Sequence, residues 1–392
     1  MSAEGVRGSG LKEAFRLIRG NYIEREGVIG TFNASRRKKV IMVITLSIML
    51  VFVAVVALGV GAVDIPALDT LKVLGHHFFP DWIDAPHQEY YSTIILRSRM
   101  PRIILAALTG ASLAMAGVVM QGILHNPLVS PFTLGLSSAA SFGAAMALVL
   151  GPVLLGSAYF GHFELLEESI TNKNLLIILM AFIVGMSSVV LVLAIARTHR
   201  LSQSVLVLSG VVVNYLFSAG ISFMKYISDD SALREVTNWL MGSMWGATWG
   251  SVTVLIPIVA VCFILMERCA VDLNTLSGGD DVARNLGVNV RRLRIHCLVI
   301  SAFVTSACLA FTGVIGFIGL MAPHICKMII GNDHRYLIPA AALMGSLILL
   351  LSDTAARVIM RPVELPVGVI MYLIGGAFFI WLVTRRSGRQ LA

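Results

Sequence analysis

Three short segments hold most of the residues able to recognise charge. The first is Arg97-Ser-Arg99-Met-Pro101-Arg102. Proline at the opening of a helix is cheap, because its missing N–H would be unpaired there anyway. The arginines are therefore expected on a rigid helix start, a cationic collar whose guanidiniums suit carboxylates. The simpler alternative is that their stems lie along apolar surface while the charge reaches the interface. The second segment is Asp353-Thr-Ala-Ala-Arg357, followed by Arg361-Pro-Val-Glu364. Four-residue spacing places Asp353 and Arg357 on one helix face, where an ion pair is expected. The third runs from Ser277 to Arg294. Gly278-Gly279 and Gly287 bracket a short helix with acidic, apolar and basic residues, a form suited to docking in a partner's groove.

No catalytic set accompanies these segments. His76, His77 and His87 share a loop with Asp81, Asp84 and Glu89. A metal is conceivable there, but solvated loop residues are the simpler reading. His125 and His324 each neighbour a proline near a helix break, where hydrogen bonding is expected of them. The five cysteines, Cys262, Cys269, Cys297, Cys308 and Cys326, lie in or beside apolar runs without a CxxC and read as small core residues. Neither a P-loop nor HExxH occurs. The chain is expected to be no enzyme, to hold no metal or cofactor, and to hydrolyse no ATP by itself.

The elements that must position these residues follow from composition. Of 392 residues, 57% are hydrophobic and 13% charged, and mean hydropathy is +0.84. Soluble domains carry about 25% charged residues, so the chain is read as an all-α polytopic membrane protein. The net charge of +8 comes in short clusters between apolar runs, as in cytoplasmic loops, which argues against a nucleic-acid partner. Uncharged runs lie at 40–62, 103–124, 131–160, 175–196, 201–224, 236–266, 295–326, 336–352 and 365–384. The run 236–266 is too long for one span and holds Trp239, Trp245 and Trp249. It reads as a short surface or re-entrant helix at 236–248, then a span from 250. The run 295–326 is split at Gly313–Gly319 into one helix at 293–313 and a shorter one ending near Gly331. Ten spans result, with both termini cytoplasmic and the loops near 64–100, 161–173 and 227–235 outside. Inner loops then carry net positive charge and outer loops net negative, as the positive-inside rule requires.

The organisation expected is a cytoplasmic tail at 1–39, a ten-helix domain at 40–386 and a short tail at 387–392. Leu11, Ala14, Phe15 and Ile18 recur at helical spacing beside Lys12, Arg16 and Arg19, so the first tail is either an amphipathic surface helix or mobile. Signal-peptide character is not expected of it. At an offset of 196 residues, Ala111–Val119 lies over Ala307–Ile315, Pro127 over Pro323 and Gly135 over Gly331. The two copies run in opposite directions on this topology, which makes an inverted internal repeat. Gly110, Ala114, Gly117 and Gln121 form a small-residue helix face for close packing.

These segments together resemble the FecCD-type permeases of ABC importers, a family that includes the cobalamin permeases. The matching text is RMPR at 99–102, GASLAMAGVVMQGILHNPLVSPFTLG at 110–135, LSQSVLVLSGV at 201–211, ARNLGV at 283–288, TGVIGFIGLMAPHICKMIIGNDHR at 312–335, DTAAR at 353–357 and ELPVG at 364–368. The resemblance implies a homodimer in the cell membrane, two separate ATPase subunits carrying ATP and Mg, and an extracytoplasmic binding protein. It implies docking of that protein through Arg99, Arg102 and Arg357. It also implies coupling to the ATPase through Ala283, Arg284, Leu286 and Gly287, and an inner gate at Gln203 and Ser204. Asn214 is expected along the pathway, with Ser209 and Gln121 as further polar residues. The cargo implied is an iron(III)–siderophore or related iron chelate, with haem and cobalamin as alternatives. An ion-coupled secondary transporter is the rival of another class. Two positions depart from the usual family pattern: Lys327 stands where arginine is common, and Gly375-Gly376-Ala377-Phe378 replaces Gly-Ala-Pro-Phe.

Overall fold

The computed structural model describes residues 36–390 except 62, 83, 85, 166–167 and 198–201. The expected surface helix around Leu11–Ile18 lies outside the described residues. In chain order the helices are α1 (Arg36–Gly59), α2 (Ala67–Phe78), α3 (Glu89–Ile123) and α4 (Leu136–Leu155). A two-stranded antiparallel hairpin follows, β1 (His162–Leu165) with β2 (Glu168–Thr171). Then come α5 (Asn172–Arg197), α6 (Gln203–Ile227), α7 (Asp230–Met241), α8 (Trp249–Arg268), α9 (Ala270–Leu276) and α10 (Asp280–Asn285). The chain closes with α11 (Val290–Thr312), α12 (Ile318–Ile330), α13 (His334–Val358) and α14 (Val367–Gln390).

Among the described residues nine helices are long and apolar enough to span a bilayer: α1, α3, α4, α5, α6, α8, α11, α13 and α14. The segment 313–333 makes a tenth traverse of the bundle, and its helix α12, 13 residues or about 20 Å at the helical rise, is shorter than a full span. Its start packs against the last third of α3, where Gly117 and Gly319 touch backbone to backbone so closely that no Cβ fits. Gly331, just past its end, leads into Asp333, which pairs with Lys39 at the start of α1. The bundle thus has two ends, one carrying Arg102 and the other Gly287. Ten crossings bring α1's start and α14's finish to the Gly287 end.

Burial sorts the helices. In α3, 78% of the most apolar window is buried, against 67% in α11 and α13 and 11% in α1. The small-residue face of α3 explains its central place: Gly110 meets Gly345 of α13 and Gly117 meets Gly319 of α12. Outer faces expose large apolar residues such as Phe52, Leu208 and Ile380, which a hydrocarbon surrounding turns from a liability into a requirement. The aligned copies run oppositely, α3 away from the Arg102 end and α11 toward it. The likeness ends after them: Pro127 lies in an irregular link, whereas Pro323 is inside α12.

Several boundaries differ from the sequence expectation. The helix α3 begins at Glu89 rather than near 103, because Arg97, Arg99 and Arg102 are inside it, the first two in a π-helical stretch at Ile94–Arg99. The stretch expected as the 64–100 loop also holds α2, so His76 and His77 are helical. The short surface or re-entrant helix expected here is α7, starting at Asp230 with Asp229 as its cap (2.7 Å to the amide of Ala232) and ending before Gly242. It was displaced from the expected 236–248 because its first turn is charged. Lys173 pairs with Glu235 at 2.6 Å, placing the hairpin and α7 at one end. The break after α11 falls where expected: Gly313 has φ +68° and Phe317 φ +66°. The Phe317 ring is held between Tyr372 and Phe379, which supports a left-handed backbone that side chains disfavour.

Candidate functional sites

At one end, α1 finishes with carbonyls that have no helical partners. Arg99 and Arg357 supply the missing donors. The Arg99 guanidinium donates to Leu58 O at 2.6 Å, Gly59 O at 2.9 Å and Val63 O. Arg357 donates to Val60 O at 2.9 Å and Ala57 O at 3.4 Å. Cations at a helix C-terminus also oppose its negative dipole end. Asp353 is fully buried between two arginines: Arg357 Nε lies 3.3 Å from one oxygen and Arg102 Nη2 3.0 Å from the other. Arg102 also reaches Glu364 at 2.6 Å. The expected pair of Asp353 with Arg357 is therefore present.

The expected collar of outward-facing arginines takes another form. Side-chain exposure is 3% for Arg357 and 12% for Arg102, and Arg99 is buried. All three guanidiniums are engaged within the chain, tying α1, α3, α13 and the link before α14 together. The reason is that a helix C-terminus and two carboxylates, distant in sequence, converge on them. Arg361 stands nearer the surface in a two-pronged pair with Asp64 at 2.7 and 2.8 Å. The Arg361 hydrogen bond holds the Asp64 carboxyl below its ordinary range.

At the other end, α10 is a short helix fixed at both termini. Arg294, buried in α11, bonds Asp280 at 2.8 Å and Ile123 O, at the end of α3, at 3.3 Å. After the last turn, Gly287 N bonds Arg284 O at 3.0 Å and Val288 N bonds Ala283 O at 2.9 Å. This paired closure requires a left-handed residue, and Gly287 provides it at φ +88°. Ala283 is fully buried beneath the helix. Arg284 makes only exposed pairs to Asp280 and Asp281. Val282 and Leu286 are 47% and 69% exposed, leaving two apolar side chains on a rigid projection.

Gln203 opens α6 and donates to His125 Nδ1 at 2.7 Å, while His125 Nε2 lies 2.8 Å from Leu276 O. The carbonyl accepts only, so Nε2 carries the proton and Nδ1 accepts. Gln203 is thus tied to α9, the helix leading to α10, and His125 has the hydrogen-bonding role expected of it. Ser204 is exposed. Asn214 sits eleven residues along, about 16 Å at the helical rise, and accepts from Ser138 Oγ. It lines a cavity of about 520 Å³ with Tyr215, Phe317 and Tyr372. The residues Gln203 and Asn214 therefore mark two depths of α6 rather than one site.

Sequence reasoning missed a polar cluster beside α9. Asp333 accepts from Asn274 at 2.8 Å, Arg335 at 3.0 Å and Lys39 at 3.2 Å. Burial raises its proton affinity, but those three donors outweigh burial and leave the carboxyl well below its ordinary range. These partners are 59 and 294 residues apart in sequence, so no local pattern announces them. No group of three or more histidine, cysteine or acidic side chains able to hold a metal occurs among the described residues.

The model of the FecCD transport family matches residues 49–385. A haemin transport system permease of Yersinia pestis is 38% identical over 76% of this chain and 85% of its own. An Fe(3+) dicitrate transport system permease of Escherichia coli is 35% identical, covering 88% and 99%. A vitamin B12 import system permease of Vibrio parahaemolyticus is 31% identical, covering 90% and 96%. Among solved structures, a transporter assigned to the metal-chelate ABC type, inward-facing, superposes with TM-score 0.73 at 29% identity, over 88% of this chain and 98% of that one.

Proposed function

Because the chain belongs to the FecCD transport family and is the permease subunit of an ABC importer, we propose that it carries an iron(III) chelate inward as a homodimer, in the cell membrane with both termini cytoplasmic. Family membership implies ATPase subunits and a binding protein as partners, and family members are transport permeases rather than enzymes.

The observation that carries the mechanism is the rigid α10 with Val282 and Leu286 uncovered. An ATPase groove takes these two side chains, with Ala283, Arg284 and Gly287 holding the helix in shape. A push on α10 passes through α9 and the Leu276–His125–Gln203 bonds to the foot of α6, where Gln203 and Ser204 form the inner gate. Since α6 also lines the cavity at Asn214, tilting it alters that cavity. At the opposite end the binding protein docks. Arg102 is the guanidinium nearest the surface of the three, so a carboxylate on the docking protein exchanges with Glu364, while Arg99 and Arg357 keep the platform rigid.

Haem and cobalamin are the alternative cargoes, since relatives of similar identity carry those names. The test is import into proteoliposomes containing the permease, its ATPase and its binding protein. Iron–siderophores, iron citrate, haem and cobalamin are offered in turn. Preferential uptake of an iron chelate supports the proposal, and cobalamin uptake alone overturns the iron assignment.

A further inference from the structure

One stripe of α12 and its N-cap residue lines two cavities in turn. Phe317, Leu320, His324, Lys327 and Met328 follow helical spacing, within roughly a 100° arc at 3.6 residues per turn. Phe317 and Leu320 line the 520 Å³ cavity at mid-depth. His324, Lys327 and Met328 line a second cavity of about 440 Å³ nearer the Gly287 end. The two cavities are successive stations along one helix face, and their chemistry differs. The mid-depth wall is aromatic, hydroxyl and amide, with no charged side chain. The lower wall holds Lys327, three histidines and no carboxylate.

One charged group in the lower cavity has only a neutral partner. Lys327 donates to the neutral Gln121 Oε1 at 2.8 Å and has no carboxylate partner among the described residues. His334 is 3% exposed, and its Nε2 has no hydrogen-bond partner. Its Nδ1 faces Asn274 Oδ1 at 2.8 Å, and Asn274 is oriented by its amide donating to Asp333. Nδ1 therefore carries the proton, and Nε2 is a bare acceptor packed against Gly122, which leaves Lys327 as the donor of this cavity. Its companion His125 is fully used by Gln203 and Leu276.

We propose that this lower cavity is an exit station for the carboxylate groups of an anionic metal chelate, with Lys327 as both charge partner and hydrogen-bond donor. An ammonium held in low dielectric by a neutral amide is poised for an anion. The aromatic station above takes the apolar body of the same cargo, and the carboxylates lead toward the Gly287 end. The inference rests on the permease reading and narrows its cargo: carboxylate-bearing chelates are favoured over neutral ones.

The test uses the purified permease–ATPase complex in nanodiscs of neutral lipid. Binding of iron(III) citrate, inorganic phosphate and cobalamin is measured on wild type, Lys327→Gln and Lys327→Arg. Iron citrate is expected to bind wild type and Lys327→Arg within threefold of each other, and Lys327→Gln at least tenfold more weakly, with wild-type binding falling as salt rises. Cobalamin affinity is expected to be unchanged across the series. Equal citrate binding by wild type and a folded Lys327→Gln, judged by size-exclusion profile, overturns the inference. So does phosphate binding as tight as citrate binding, which would mark a general anion site, or an advantage for anionic lipid over neutral lipid that abolishes the citrate effect. If Lys327→Gln fails to fold, loss of citrate binding in Lys327→Arg or its insensitivity to salt overturns it instead. ATP-dependent import of any chelate by wild type upholds the permease reading whichever way this series falls.

Discussion

Replacing Asp353 with alanine strips the shared carboxylate from Arg102 and Arg357. Asp353 is fully buried, and its oxygens lie 3.0 and 3.3 Å from the two guanidiniums. At an effective dielectric of 20, unit charges about 4 Å apart attract by about 4 kcal/mol. Desolvation of all three groups opposes that gain, so the net worth of the cluster is small. Removing only the carboxylate leaves the desolvation in place, and breaking a buried pair this way costs about 3–5 kcal/mol. Glu364 still holds Arg102, which puts the expected loss toward the lower end. The assay is thermal unfolding of the detergent-solubilised complex, with Asp64→Ala as control. Asp64 belongs to an exposed pair with Arg361, and its loss is expected to leave the transition unmoved. A clear drop for Asp353→Ala with none for Asp64→Ala is the predicted pattern. Equal transitions for Asp353→Ala and wild type would refute the reasoning that this carboxylate holds the end of the bundle together.

Gly287→Val forces a β-branched residue to φ +88°, at a cost of about 1–3 kcal/mol. It should leave ATPase turnover intact while import falls, which a coupling-ratio measurement in proteoliposomes checks. His125→Ala removes two hydrogen bonds worth about 0.5–1.5 kcal/mol each, and import per ATP should fall more than the unfolding temperature does. The carboxyl of Asp333 is depressed, so its contribution is present above the unfolded value of about 3.9 and is lost as pH falls through the folded one. The stability deficit of Asp333→Asn should therefore stay constant from pH 8 to 5 and shrink only in stronger acid, as pH-dependent unfolding would show. Gly117→Leu places a side chain where the Gly319 backbone already stands, so monodisperse protein should not be recovered on size exclusion, whereas Gly376→Ala, in a helix with open space around it, should give a normal yield.

Periodic and local features were legible in the sequence. The ten crossings, the break at Gly313, the short α10 between glycines and the Asp353–Arg357 pair each rest on spacing within a few turns. The mid-chain run 295–326 resolved correctly because charge balance constrains the number of crossings. Features that depend on distant residues meeting were not legible. Arg99 reads as an outward charge until α1's last carbonyls arrive from 36 to 41 residues away. Lys327 reads only as a departure from the family pattern until Gln121, 206 residues away in sequence, meets it at a cavity wall. The Asp333 cluster needs Lys39 from the opposite end of the chain. Hydropathy also misplaced the start of α3, because arginines that cap another helix are no longer a cost to burial.

The account turns on transport being driven by ATP through α10. The direct measurement is chelate uptake into proteoliposomes holding the permease, ATPase and binding protein, with ATP inside or absent and with a proton or sodium gradient imposed or collapsed. The account predicts uptake only with ATP and both partners, unaffected by collapsing either gradient. Uptake sustained by an ion gradient without ATP would contradict it and identify an ion-coupled secondary transporter instead.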